Sequence, residues 1–267
     1  MIRVAILGAG GRMGRLLVQH VLADARFRLA AAVERPGHPW EGRDIGLAVG
    51  AGESGVFVRS DLSAVLAGIE VAVDFSDHRA VVSHAAGCRE RGVAWVLGTT
   101  GLTPEETEAV RAAAAHIPVV WSANMSPGMN VLFRLVRQAA ALLKEGYDIE
   151  IVEMHHRHKK DAPSGTALAL GRAAAEGRGW SLDAVACHGR KGETGERPVE
   201  AIGFHALRGG DVAGDHTVIL AGEGERVELT HRASSREAFV RGALRAAAWV
   251  VGRPSGLYEM ADVLGLR

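Results

Sequence analysis

Cysteine is scarce in this chain. Cys88 and Cys187 are the only two among 267 residues, and they lack CxxC spacing. No disulfide framework is suggested, and a reducing compartment fits. Charge of one sign is also missing: 31 Lys and Arg balance 31 Asp and Glu. Without a global basic field, nucleic acid is not an expected partner, and any anion site must be local. No apolar run reaches the about 18 residues of a membrane span. The N-terminus lacks the regions of a secretory signal. A cytoplasmic protein with no membrane partner is the expectation.

What is present is enough apolar residue, 48%, for a packed core in one large domain or two modest ones. Glycine is abundant at 34 residues, where the usual ~7% would give roughly 19. Many tight turns and close backbone approaches follow.

Ile2 to Leu7 is a short β-branched run, followed by Gly8-Ala9-Gly10-Gly11-Arg12-Met13-Gly14. From Arg15 to Ala23 the apolar spacing becomes helical, at Leu16, Leu17, Val21 and Leu22. Strand, glycine turn and helix are the context of a dinucleotide fingerprint. The glycines at 8, 11 and 14 depart from G-x-G-x-x-G, which predicts a slightly longer turn, still able to bring a pyrophosphate to the helix N-terminus. Phe27 to Val33 is the second strand, and Glu34 ends it. An acid there suits the ribose hydroxyls of NADH, whereas Arg35 suits the 2′-phosphate of NADPH. Further strands are expected at Val56–Arg59, Val71–Phe75, Val93–Leu97 and Val119–Ser122, with helices between. This alternation predicts an α/β Rossmann-like, doubly wound parallel sheet. Ligands bind such sheets beyond the carboxyl ends of the strands. Gly98-Thr99-Thr100 and Ser122-Ala123-Asn124-Met125 fall at two of those ends and join the candidate cofactor contacts.

The densest chemistry lies at His155-His156-Arg157-His158-Lys159-Lys160. This basic run follows an apolar strand, Ile149 to Met154, and precedes Asp161-Ala-Pro-Ser-Gly-Thr166, a turn into a helix from Ser164. A strand end, a cationic loop and a helix N-terminus together make an anion site with proton donors. Beyond it the pattern changes. Strands at Ala184–His188, Val199–Ala206, His216–Leu220 and Arg226–His231 lack intervening helices. They predict a second α+β domain on a mostly antiparallel sheet. A final helix, Ser235 to Val251, is expected to return to the first domain. The division reads 1–126 with 235–267 for the dinucleotide-binding domain, and 127–234 for a substrate-binding and oligomerisation domain.

The stretch from Glu150 to Ala167 closely resembles the signature of the dihydrodipicolinate reductases (4-hydroxy-tetrahydrodipicolinate reductases), E-x-x-E-x-H-H-x-x-K-x-D-A-P-S-G-T-A. Glu150, Glu153, His155, His156, Lys159, Asp161, Ala162, Pro163, Ser164, Gly165, Thr166 and Ala167 match it. Segments at 208–216, 230–233 and 257–265 are also similar to that family, so the resemblance covers nearly the whole chain. It implies NADH- and/or NADPH-dependent reduction of a small cyclic imine carrying two carboxylates, in the diaminopimelate route to lysine. It implies His155 and Lys159 as catalytic groups, and His156, Gly165 and Thr166 as substrate contacts. It further implies a homotetramer built from the second-domain sheets, for which Ile202, Phe204, Val218 and Leu220 offer apolar surface. Two other readings fit less well. A metal hydrolase on His155, His156 and His158 conflicts with the adjacent lysines, so no metal is expected. A non-catalytic dinucleotide sensor would leave the basic loop to a regulatory anion.

Overall fold

The computed structural model describes residues 1–266 and divides the chain into two compact units, Met1–Pro127 with the segment from Glu237 onward, and Gly128–Arg236.

In the first unit, strands and helices alternate. They are β1 Ile2–Leu7, α1 Arg12–Ala23, β2 Phe27–Val33, α2 Ile45–Ala48, β3 Val58–Arg59, α3 Leu62–Val65 and β4 Val71–Asp74. There follow α4 Val81–Arg91, β5 Ala94–Leu97, α5 Pro104–Ala114 and β6 Pro118–Trp121. The second unit holds α6 Pro127–Leu142, β7 Asp148–His155, α7 Gly165–Arg178, α8 Leu182–Val185 and β8 Ala186–His188. It continues through β9 Ile202–Arg208, β10 Asp215–Gly222 and β11 Glu225–Arg232. The chain then returns to the first unit as α9 Glu237–Val250, β12 Gly256–Tyr258 and α10 Met260–Leu264.

The first sheet is parallel throughout, in the order β12-β6-β5-β4-β1-β2-β3. Its central strands, β4, β5 and β1 from Val4 onward, are buried on both faces, which is why they read as continuous apolar runs rather than alternating ones. One cluster centres on Val4, Ile6, Val71, Val73 and Val96 with α1 and α9. The other centres on Ala5, Leu7, Trp95, Leu97 and Val119 with α4 and α5. Thr103 caps α5 in a reciprocal capping box with Glu106, and Pro104 opens the helix. Asp61 caps α3 through the amides of Ser63 and Ala64. The strand order reverses between β1 and β4, the crevice where such sheets take ligands.

The second sheet, β11-β10-β7-β9-β8, is mixed: β10 pairs antiparallel with β7 and β11, while β7–β9 and β8–β9 are parallel. The strand run after α7 predicted mostly antiparallel pairing. The difference comes from β7, which precedes α7. The helix is then the crossover that returns the chain parallel to β7, as any βαβ unit requires. Ile149, Ile151, Ile202, Phe204, Val218 and Leu220 point together onto α6 and α7. The sequence offered four of these as uncovered apolar surface. They are at most 3% exposed, because helices of the same unit cover that face. Among the described residues, no helix is long and apolar enough to cross a membrane.

Candidate active site

In the first unit the site grows from the turn after β1. Gly8 has φ +74, a left-handed conformation that favours glycine. Its amide and that of Ala9 both donate to Val33 O, at 2.9 and 3.0 Å, which fastens the turn to β2. A Cβ at Gly14 would lie 2.1 Å from Gly8 O, so α1 packs directly on the turn only because position 14 has no side chain. Helix α1 begins at Arg12 with Gly11 as N-cap, three residues earlier than the apolar spacing predicted. No side chain caps it, which leaves a helix N-terminus in the form that receives a pyrophosphate.

Glu34 stands at the end of β2. Its Oε1 accepts the Gly10 N–H at 2.8 Å, and its Oε2 accepts the Arg35 N–H at 3.2 Å. Arg15 reaches back to Gly10 O at 2.7 Å and lies over the Trp40 ring at 4.3 Å. A cavity of about 750 Å³ opens beside this turn, lined by Gly8, Gly11, Glu34, Arg35, Ser76 and His84 among others. A Cβ on Gly98 would lie 2.2 Å from the Phe75 ring, so only glycine fits there. Thr99 donates to Ser76 O at 3.2 Å. Ser122 donates to Asn124 O at 2.9 Å, and the Ser126 amide to Asn124 Oδ1 at 2.9 Å. Ala9 and Met125 are buried core side chains, so a nucleotide can meet them only through backbone. Met13 packs partly against the same core. Arg12 and Thr100 are exposed, and Ala123 lies in the turn after β6.

Sequence reading missed the Asp74–Ser76–His84 group, of which Ser76 and His84 line this cavity. Asp74, fully buried at the end of β4, accepts from His84 Nδ1 at 2.8 Å and from the Ser76 amide at 2.9 Å. A signal existed: Asp74 closes an otherwise apolar strand next to the strand-order reversal.

In the second unit, strand alternation turns Glu153 and His155 inward, 1% and 9% exposed. The Glu153 carboxylate gathers four donors. Oε2 takes His155 Nδ1–H at 2.6 Å and an Arg208 N–H at 2.8 Å. Oε1 takes the Ser164 amide at 3.0 Å and the other Arg208 N–H at 2.9 Å. Burial alone would raise its pKa. Arg208, His155 and the Ser164 amide outweigh burial, so it stays below the usual range and ionised. Arg208 also donates to Asp161 O at 2.6 Å, which ties the basic loop to the end of β9. Ser164 caps α7 by accepting the Ala167 amide at 3.1 Å, and it lies 3.1 Å from His216 Nε2. The His216 ring sits edge-on to His155, with centroids 5.1 Å apart. Burial, then the neighbouring His155, pushes the His216 pKa down to about 3, so it is neutral.

Within residues 156–163, the His156 amide donates to Val212 O at 2.8 Å. Lys159 Nζ pairs with Asp161 at 2.9 Å. Gly165 and Thr166 form the outer first turn of α7. The loop therefore brings His155, His156, Lys159, Gly165 and Thr166 to one end of the second sheet. His158 is exposed, with its ring 6.2 Å from that of His156. Glu150 is turned to the opposite sheet face. Burial works against its ionisation, but Arg190, His205 and Arg197 hold its pKa down to about 2. Arg208 and His216 had no role in the sequence reading. The alternation of β10 is the signal for His216, which shares the inward face with Val218 and Leu220. Among the described residues, no three His, Cys, Asp or Glu side chains are grouped to hold a metal ion.

The chain was compared with known proteins. A profile described as "Dihydrodipicolinate reductase, N-terminus" matches residues 2–125, and one described as "Dihydrodipicolinate reductase, C-terminus" matches 128–264. The 4-hydroxy-tetrahydrodipicolinate reductase of Anaeromyxobacter sp. (strain Fw109-5) is 55% identical, over 100% of this chain and 99% of its own length. That of Nitrosomonas europaea is 50% identical, with the same coverage. Among solved structures, a dipicolinate-bound dihydrodipicolinate reductase from Paenisporosarcina sp. TG-14 superposes with a TM-score of 0.78 at 27% identity, covering 98% of each chain. The chain belongs to the dihydrodipicolinate reductase family.

Proposed function

We propose that this member of the family is a 4-hydroxy-tetrahydrodipicolinate reductase. Its substrate, the hydroxylated cyclic dicarboxylate imine, loses its hydroxyl as water and is reduced to tetrahydrodipicolinate at the expense of NADH or NADPH, in the diaminopimelate route to lysine. The observation that carries the reading is His155, held at 2.6 Å by the buried, ionised Glu153 beside the start of α7.

The first unit fits a dinucleotide, because its glycine turn admits no side chain at Gly14 and opens on the cavity at Glu34. The α1 N-terminus at Arg12 and Met13 would hold the pyrophosphate, Glu34 and Arg35 the adenosine ribose, and segments 98–100 and 122–125 would contribute the remaining cofactor contacts. When bound, the nicotinamide supplies a hydride. The substrate's carboxylates pair with His156, Lys159 and the amides of Gly165 and Thr166. Protonated His155 would give its Nε2 proton to the substrate carbon made electron-rich by reduction, leaving a neutral ring with its hydrogen on Nδ1 toward Glu153. Lys159, paired with Asp161 in the same loop, supplies a cation that polarises the substrate. With both Glu34 and Arg35 present, NADH and NADPH serve within about tenfold of each other, or ~1.4 kcal/mol.

The reading extends to a cytoplasmic homotetramer. Support for assembly comes from the outward face of the second sheet, where Val152, Met154, Leu207 and Ile219 stay partly exposed on neighbouring strands. Initial rates with each cofactor on freshly made hydroxylated imine test the function. Cofactor oxidation that needs the imine supports it, and none with either cofactor overturns it.

A further inference from the structure

We infer that Glu153 is a positioning residue for the reaction: it fixes the tautomer of His155, so that Nδ1 always carries hydrogen and only Nε2 exchanges a proton with the substrate. The inference rests on His155 as the proton donor proposed above.

The geometry leaves Glu153 one role toward His155. An ionised carboxylate accepts and cannot donate. Its oxygens already face Arg208 twice and the Ser164 amide once, so no rotation frees it from acting as acceptor. A neutral His155 must therefore keep its hydrogen on Nδ1 and its lone pair on Nε2. Such second groups set which nitrogen of a reactive imidazole is available.

The other side of the ring is kept clear. Gly214 has φ +154, and a Cβ there would lie 3.0 Å from His155 Nε2. The position excludes a side chain from the one nitrogen that is free to exchange. Every ionisable neighbour agrees with this polarity. Arg208 on β9 pairs with Glu153 rather than with the ring, and His216 on β10 is neutral. Lys159 in the loop is engaged by Asp161. The same carboxylate joins three segments, the end of β7, the end of β9 and the start of α7. The ring orientation and the carboxylate-binding helix turn are thus set by one group.

An amide at position 153 has one acceptor oxygen for four donors. In Glu153→Gln, an amide NH2 turned to the ring faces Nδ1 and drives the hydrogen to Nε2. Giving a proton from Nε2 requires the doubly protonated ring, which an NH2 turned to Nδ1 opposes, and kcat should fall about 10²–10⁴-fold. The Michaelis constant of the nicotinamide cofactor should not change.

The test is nitrogen NMR of histidine-labelled enzyme, with His155→Gln assigning the His155 signals. Wherever the ring is neutral, the expected wild-type spectrum shows a hydrogen-bearing Nδ1 and a bare Nε2 for His155. Glu153→Gln should reverse that pattern, and Glu153→Asp should restore it with kcat within about tenfold of wild type. A neutral wild-type ring with hydrogen on Nε2 and none on Nδ1 overturns the inference. So does a Glu153→Gln enzyme with unchanged tautomer and kcat. If Glu153→Gln does not fold, the wild-type spectrum and Glu153→Asp decide. Failure of the proton-donor reading looks different: His155→Gln would then keep near wild-type kcat, whichever tautomer the spectrum shows.

Discussion

The Gly10 amide donates to Glu34 Oε1 at 2.8 Å across 24 residues of sequence. The acid that closes β2 is thus fastened to the turn that closes β1. Arg35 extends from the same strand end into the lining of the cavity. One side chain is set for ribose hydroxyls and the next for a phosphate. Arg35→Ala should raise the Michaelis constant for NADPH about tenfold or more, the equivalent of ~1.4 kcal/mol, while sparing NADH. Steady-state rates with both cofactors read the difference. Equal losses with both would remove Arg35 as the phosphate reader.

Gly14 is a second sensitive point. Alanine there would place its Cβ 2.1 Å from Gly8 O, and that backbone is held by β2. The clash should cost about 1–3 kcal/mol. Thermal melting should drop by roughly 2–4 °C per kcal/mol, and cofactor affinity should fall with it. An unchanged melting temperature together with unchanged NADH binding would show that α1 can move away freely.

The candidate residues of the two units were unequally legible in sequence. The glycine turn, Glu34 and the basic loop declared themselves because each is local: the residues lie within one strand–turn–helix passage. The four-donor cluster around Glu153 did not. Arg208 and His216 come from β9 and β10, more than 50 positions away, and only the sheet register brings them together. The same register explains the reversed assignment of the second sheet's faces. Alternation showed that Ile202, Phe204, Val218 and Leu220 share a face, but it did not say which face α6 and α7 cover. In the central strands of the first sheet no such ambiguity arose, because both of their faces are buried.

The proposed assembly therefore uses the other face. Met154→Glu, with Val152, Leu207 and Ile219 as neighbours, places a charge where the tetramer would form. Light scattering should show a tetramer for the wild type at micromolar concentration and smaller species for the variant. A wild-type monomer at that concentration would refute the assembly.

His216 gives stability a pH dependence. The unfolded imidazole takes a proton near pH 6.5, whereas the folded one resists protonation down to about 3. Between those values the unfolded chain binds more protons, so stability falls as pH drops from about 6.5 toward 3. Glu153 acts in the same direction lower in the range, since its folded pKa is depressed. His216→Gln should flatten the fall in melting temperature between pH 7 and pH 5. An identical fall in both proteins would show that His216 is not the group responsible.

Thr166→Val offers a contrast within the substrate site. It removes a carboxylate donor from the first turn of α7 and should mainly raise the Michaelis constant for the imine, with a smaller fall in kcat. A loss confined to kcat would place Thr166 in the chemical step instead.

The most direct test of the account is kcat and kcat/KM for His155→Ala on freshly made substrate at saturating cofactor. A general acid acts chiefly in the transition state, so both constants should fall together by roughly 10²–10⁴-fold. The Michaelis constant for NADH should stay as in the wild type. Near wild-type kcat with only a raised Michaelis constant for the imine would contradict the account, and would make His155 a binding residue with the proton supplied by Lys159 or water.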